Sequence, residues 1–314
     1  MIKNLPNTTT SAISRELVTI REEGGAVALG RVLTLLVQTK FSGIEEAILA
    51  ANEASRAHPC RIIVLADEEV QVDSEPRLDG EIRVGGDAGA SEVIVLRAYG
   101  EAASDPESLV TGLLLPDAPV VAWWPGIAPV KPSTSAIGRI AQRRITDAAS
   151  QANPQEWLNS LADNYEPGDS DFAWTRLTLW RAQLAAILDQ PPYDPVTKVI
   201  VTGAVDSPST DLLAAWLGSK LQVEVELVRT IRGQAVSGIK GVKLIRESGD
   251  IEIVRNLPDV ATLNQPLQPT RDINLPRRSL RDCLIEDLRR LDSDEAFGNL
   301  IQSGFGSKKG KANK

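Results

Sequence analysis

The stretch at residues 113–126, LLLPDAPVVAWWPG, constrains the fold of this chain more than any other. Its centre is the unbroken apolar run Val120-Val121-Ala122-Trp123-Trp124, with Pro119 before it and Pro125-Gly126 after it. A run that short, closed by proline on both sides, is the pattern of a strand buried on both faces. Adjacent tryptophans on a strand point to opposite faces, because side chains alternate with a period of two. One ring then serves the core. The other either joins a second part of the core or sits at the lip of a binding surface, where tryptophan is enriched. A buried indole also needs an acceptor for its N–H.

The segments before this run alternate in period. Residues 61–66 (RIIVLA), 81–85 and 92–97 (EVIVLR) read as strands. Residues 42–56 read as a helix, with Ile44, Ala47, Ile48 and Ala51 on one face and acids in the first turn. At residues 30–39, GRVLTLLVQT is apolar on nearly every side, so helix and strand compete; a buried helix is expected. A helix is expected over 105–114, capped by Asp105 with Pro106 at its first position.

Further along, residues 135–149 offer a helix with a basic face of Arg139, Arg143 and Arg144, and residues 153–161 offer another. A longer helix over 171–188 stacks Leu177, Trp180, Leu184 and Ile187, with Trp174 and Arg181 beside them. Residues 197–228 have the order of a βαβ unit, and 241–246 with 250–254 that of a hairpin. The last helix, over 280–291, carries a stripe of Leu280, Leu284, Leu288 and Leu291. This predicts an α/β protein of two α/β domains, each a mixed sheet covered by helices. The expected division is 1–170 and 171–306, with 307–314 a disordered basic tail.

Composition narrows the class. With 42% hydrophobic and 24% charged residues the chain is that of a soluble globular protein. No run approaches the roughly 18 apolar residues of a membrane span. The start, MIKNLPNTTTSAISREL, lacks an apolar signal core, so a cytoplasmic protein is expected. A net charge of −8 argues against nucleic acid or an anionic membrane as partner. Cys60 and Cys283 form no CxxC pair and read as reduced thiols.

Motifs that carry chemistry are sparse. His58 is the one histidine, no G-x-S-x-G elbow exists, and one His with two distant Cys is a poor zinc set. Residues 25–32 share glycine spacing with a P-loop, but Arg31 and Val32 stand where it needs Lys and Ser or Thr. The turn at residues 203–208 lies between a strand and a helix, the right place for a phosphate, without the dinucleotide glycines. No catalytic, cofactor or metal residues are therefore assigned. What does recur is tryptophan with arginine: Trp174 with Arg176, Trp180 with Arg181, and Arg277-Arg278 leading into the last helix. That combination favours interfaces, and it equally suits a core ring beneath an arginine that reaches for water.

Four segments carry a resemblance: SRAHPCRIIVL at 55–65, LLLPDAPVVAWWPG at 113–126, DFAWTRLTLWR at 171–181 and LPRRSLRDCLIEDLRRLDSDEAF at 275–297. In this order they resemble the glucose-6-phosphate dehydrogenase assembly protein family (OpcA), and are more similar to its actinobacterial than its cyanobacterial branch. The resemblance implies a non-catalytic partner of glucose-6-phosphate dehydrogenase. Such a protein binds the enzyme, favours its active oligomer and allosterically raises its activity in the oxidative pentose phosphate pathway. In cyanobacterial relatives the effect follows thiol redox state, for which this chain offers only Cys60 and Cys283. The expected partner contacts are Trp123, Trp124, Trp174, Arg176, Arg181, Arg277 and Arg278. The competing reading is a sugar-phosphate- or nucleotide-binding α/β enzyme or sensor, built on the 203–208 turn and Arg139, Arg143 and Arg144.

Overall fold

The computed structural model describes residues 1–23, 32–67, 75–85, 92–230 and 238–306. The glycine-spaced loop before residue 32 and the basic tail therefore lie outside the described residues, apart from Val32 itself. The chain divides into two compact units. Unit 1 comprises Met1–Ser150, Glu166–Ser170 and Leu280–Asp294; unit 2 comprises Gln151–Tyr165, Asp171–Ser279 and Glu295–Lys314. Where the sequence suggested a single cut after residue 170, residues 151–165 group with unit 2 and 280–294 with unit 1.

Unit 1 carries an eight-stranded mixed sheet. Its elements are β1 (Ile2–Leu5), α1 (Thr10–Glu23), β2 (Leu33–Lys40), α2 (Ile44–Ser55), β3 (Cys60–Asp67), β4 (Arg77–Arg83) and β5 (Glu92–Tyr99). They continue through α3 (Pro106–Thr111), β6 (Val120–Trp123), α4 (Ala136–Arg139), β7 (Arg143–Thr146), β8 (Asp169–Asp171) and α9 (Leu280–Arg289). Across the sheet the order is β1-β4-β5-β3-β2-β6-β7-β8. The five strands from β5 to β7 run parallel; β4 is antiparallel to β5, and β1, antiparallel to β4, runs in the same sense as the five. From β2 the chain builds outward one way to β3 and β5, then crosses back to β6 and β7 on the other side. The order thus reverses between β2 and β6.

Two sequence expectations need correction here. Residues 33–40 form strand β2 and not a helix. Leu33, Leu35, Leu36 and Val37 are all buried because β2 lies between β3 and β6 with both faces covered. A strand in that position is apolar throughout, which erases the alternation that would have marked it. The basic helix over 135–149 is likewise absent. Only the single turn α4 forms, capped by Ser135 Oγ accepting from Gly138 N (3.1 Å). Arg143 and Arg144 belong to β7, paired with Val121 and Ala122 of β6. The expected cap of α3 does form, with the Asp105 carboxylate accepting from Ser108 N (3.2 Å).

Unit 2 carries α5 (Pro154–Asn164), α6 (Phe172–Thr175), α7 (Thr178–Leu188), β9 (Lys198–Ala204), α8 (Pro208–Leu221) and β10 (Glu224–Thr230). Then follow β11 (Ile239–Ile245), β12 (Ile251–Arg255), β13 (Val260–Asn264), β14 (Arg271–Asn274) and α10 (Glu295–Gly304). Its sheet runs β10-β9-β11-β12-β13-β14, parallel only between β10 and β9. The βαβ unit and the hairpin β11–β12 are present as expected. The long helix over 171–188 is broken: Leu177 N donates to Trp174 O, a tight turn that ends α6 before α7 begins. The amphipathic helix α10, unanticipated, buries Phe297, Leu300 and Ile301, a stripe contributing roughly 1.5–3 kcal/mol per side chain.

Candidate functional site

The carboxyl ends of the parallel strands of unit 1 frame the candidate site. Strand β6 stops at Trp123 because the backbone of Pro125 has no N–H to offer; Trp124 N makes the adjoining bond, to Ile145 O (3.0 Å). The chain then turns through Pro125, Gly126 and Ile127 across the ends of β2 and β3. Together with the first turn of α2 these segments enclose a cavity of about 480 Å³, a size suited to a small molecule. It lies where the strand order reverses, the position at which open α/β sheets receive ligands. Trp124 forms part of its wall, and its Nε1 donates to Gln38 Oε1 (3.0 Å), fixing both side chains. Lys40 Nζ and Asp67 Oδ2, 2.7 Å apart, close another side.

A dinucleotide does not fit this arrangement. The turn from β2 into α2, Lys40-Phe41-Ser42-Gly43, has one glycine where a pyrophosphate turn needs three. That glycine serves packing, since a β-carbon at Gly43 would run into Thr39 Oγ1. Two acids, Glu45 and Glu46, occupy the first turn of α2, where the helix field would otherwise draw a phosphate. Glu45 is held by Arg83, whose hydrogen bonds keep its carboxyl below the usual range. Glu46 is exposed at the cavity.

The turn at 203–208 is no better suited to an anion. Ser207 Oγ caps α8 by accepting from Thr210 N (3.3 Å), and Asp211 in its first turn is bound to Arg229. Gly203 is required because a β-carbon there would collide with the Thr210 side chain. The basic trio is dispersed: Arg139 pairs with Glu107 at the surface (2.7 Å), while Arg143 and Arg144 are buried. Arg143 binds Asp287, which also accepts from Ser170 Oγ (2.7 Å), and Arg144 binds Asp169. Burial pushes the Asp169 carboxyl up, an effect that Arg144 and the Glu166 N–H only partly offset. These arginines are structural.

Of the expected partner contacts, Trp123 and Trp124 are in unit 1 and fully buried, so neither ring forms an exposed lip. The other five are in unit 2. Trp174 is buried beneath Arg181, whose guanidinium carbon lies 3.8 Å from the ring centroid. Arg176 lies 5.9 Å from the Phe172 centroid, and Arg278 Nη1 donates to Thr175 O (2.7 Å). Arg277 is exposed. Nearby Arg255, buried with its guanidinium over Trp180 (5.2 Å), donates to Leu275 O (2.7 Å). Burial and the neighbouring Arg277 lower its pKa to about 10. Unit 2 thus gathers Trp174, Arg176, Arg181 and Arg278 around α6. Gln38, Asp67 and Glu46 were missed as site residues; no local motif links them, and only the parallel pairing of β2 with β3 and β6 brings their elements together.

His58 has a structural partner, with Nε2 3.1 Å from Ile285 O. Cys60 and Cys283 are buried and not joined in a disulfide. Among the described residues no group of three or more His, Cys, Asp or Glu is placed to hold a metal ion, and no helix is long and apolar enough to cross a membrane.

Comparison with known proteins places the chain. Residues 51–163 match the N-terminal domain, and residues 167–301 the C-terminal domain, of the family described as the glucose-6-phosphate dehydrogenase subunit. A Synechocystis sp. protein named OpcA, for the OxPP cycle, is 27% identical over 205 residues. That match covers 58% of this chain and 40% of the relative's length. Among solved structures, levoglucosan dehydrogenase in complex with NADH and L-sorbose is 10% identical with a TM-score of 0.45, covering 87% of this chain and 91% of that one. An inositol dehydrogenase homolog from Azotobacter vinelandii, with NADH and myo-inositol, is 10% identical with a TM-score of 0.40, covering 90% and 91%. Likeness that low transfers no activity. The two family domains follow one another in order across most of the sequence, and on that ground the protein belongs to the OpcA family of glucose-6-phosphate dehydrogenase subunits.

Proposed function

We propose that this chain is a non-catalytic assembly factor and allosteric activator of glucose-6-phosphate dehydrogenase, binding the enzyme and favouring its active oligomeric state in the cytoplasm. The observation that carries this reading is the match of both halves of the chain to domains described as those of a glucose-6-phosphate dehydrogenase subunit. An activator of this kind shifts an equilibrium only as far as it prefers one state of the enzyme over another. The surface proposed for contact is the arginine-bearing side of unit 2, where Arg277 is exposed and Arg176, Arg181 and Arg278 are half-buried over aromatic rings and carbonyls. Arginine over an aromatic base supports interface energy, through planar hydrogen bonding and large contact area. Trp174 supports that surface from below, and Trp123 and Trp124 act through the packing of unit 1.

The test is enzyme kinetics and gel filtration with the two proteins mixed. Co-elution, with a lower KM or a higher kcat, is expected. Separate elution with unchanged kinetics ends the proposal. Within it, Arg277→Glu together with Arg278→Glu should weaken co-elution; unchanged binding removes that surface from the interface.

A further inference from the structure

The cavity beside Trp124 holds more hydrogen-bonding capacity than unit 1 uses. Gln38 spends its Oε1 on the indole and keeps its amide N–H groups; Asp67 spends Oδ2 on Lys40 and keeps Oδ1. Neither the Thr39 hydroxyl nor the Glu46 carboxylate has a hydrogen-bonding or ion-pair partner among the described residues. Against them stands an apolar wall that includes Pro129 and Ile127, the latter 77% exposed. The charge balance among the described lining residues is also uneven: one cation, Lys40, faces two carboxylates, Asp67 and Glu46. A phosphate would meet a net negative wall, at a helix terminus whose field Glu46 already occupies. A hydroxyl, by contrast, can donate to a carboxylate oxygen and accept from an amide, which is what these four groups ask for.

We propose that this cavity binds an uncharged ring carrying vicinal hydroxyls, a free sugar or a nucleoside, and discriminates against its phosphorylated form. The hydroxyls donate to Asp67 Oδ1 and Glu46 and accept from Gln38 and Thr39, while one ring face covers Ile127 and Pro129. Lys40 holds Asp67 in place as a positioning residue. The site is independent of the dehydrogenase-binding reading, because the ligand is recognised by unit 1 alone.

Isothermal titration of the full chain tests this with adenosine and glucose, each beside its phosphorylated counterpart, AMP and glucose 6-phosphate. At least one neutral probe binds, and its phosphorylated form binds about tenfold more weakly or worse. Which neutral probe binds distinguishes nucleoside from sugar. Gly126 supplies the control, since a β-carbon there meets nothing within 4 Å. Gly126→Leu should fill the cavity and abolish binding while the melting temperature stays unchanged. Glu46→Lys, at an exposed position, should shift the preference toward the phosphorylated probe. The proposal is overturned if neither neutral probe binds at millimolar concentration, or if the phosphorylated form binds as tightly. Binding that survives Gly126→Leu, or a preference unchanged in Glu46→Lys, overturns it equally.

Discussion

In unit 1, the buried arginines Arg61, Arg143 and Arg144 are matched to Glu92, Asp287 and Asp169. In unit 2, Arg246 and Arg255 are as deeply buried but meet the carbonyls of Pro192 and Leu275 and, for Arg255, the Trp180 ring. Among the described residues neither of these two has an ion-pair partner. The pairs of unit 1 join segments far apart in the chain, Arg143 to Asp287 and Arg144 to Asp169, and so fix which strand and helix close the sheet. A buried pair adds little net stability over a hydrophobic substitute, yet losing one member strands the other. In unit 2 the Arg255 charge has no ion pair among the described residues; burial and the exposed Arg277 lower its pKa, and Asp259 raises it. The exposed Arg277 lies on the side of unit 2 proposed above for contact with the dehydrogenase.

The sharpest test of that difference is Arg143→Met, which leaves Asp287 buried without its cation. A loss of about 3–5 kcal/mol in denaturant unfolding is expected; a loss under about 1 kcal/mol would mean the pair does not hold unit 1 together. Trp124→Ala should cost a similar amount, about 3–5 kcal/mol, through the core and not through a partner. A small effect would place the ring at the surface. In unit 2, Gly203→Ala should cost about 1–3 kcal/mol from overpacking against Thr210. Arg255→Met should move stability by no more than about 1 kcal/mol in either direction, since desolvation of the lone cation is removed along with its one hydrogen bond.

The pH dependence gives a finer version of the same comparison. The folded-state pKa of Arg255 is lowered from the ordinary guanidinium value to about 10, so between the two the unfolded chain holds more protons at this group. Stability contributed by Arg255 therefore rises as pH increases above about 10. Subtracting the unfolding curve of Arg255→Met from that of the parent protein should reveal the rise. A flat difference contradicts a desolvated guanidinium. Smallest in stability is Arg277→Glu, within about 0.5 kcal/mol because the side chain is exposed, although dehydrogenase binding should suffer.

Several of these features were legible in the sequence. The spacing of Ile44, Ala47, Ile48 and Ala51 gave α2, and the order of residues 197–228 gave the βαβ unit. Strand β2 was hidden because a central parallel strand is apolar on both faces, which looks like a buried helix over eight residues. Arg143 and Arg144 looked like a solvated basic face, and their partners Asp287 and Asp169 are distant in sequence, so nothing local announced their burial. The same limit applies to the cavity. The Trp124 strand end was visible, but Gln38, Asp67 and Glu46 meet it only through the register of parallel strands and the helix that follows β2.

The central claim, that this chain favours the active assembly of glucose-6-phosphate dehydrogenase, is tested most directly by sedimentation of the enzyme with and without the chain, with turnover measured on the same samples. The account predicts a larger species containing both proteins and a higher rate at subsaturating substrate, both diminished by Arg277→Glu with Arg278→Glu. An enzyme that sediments and turns over identically with or without the chain would contradict it.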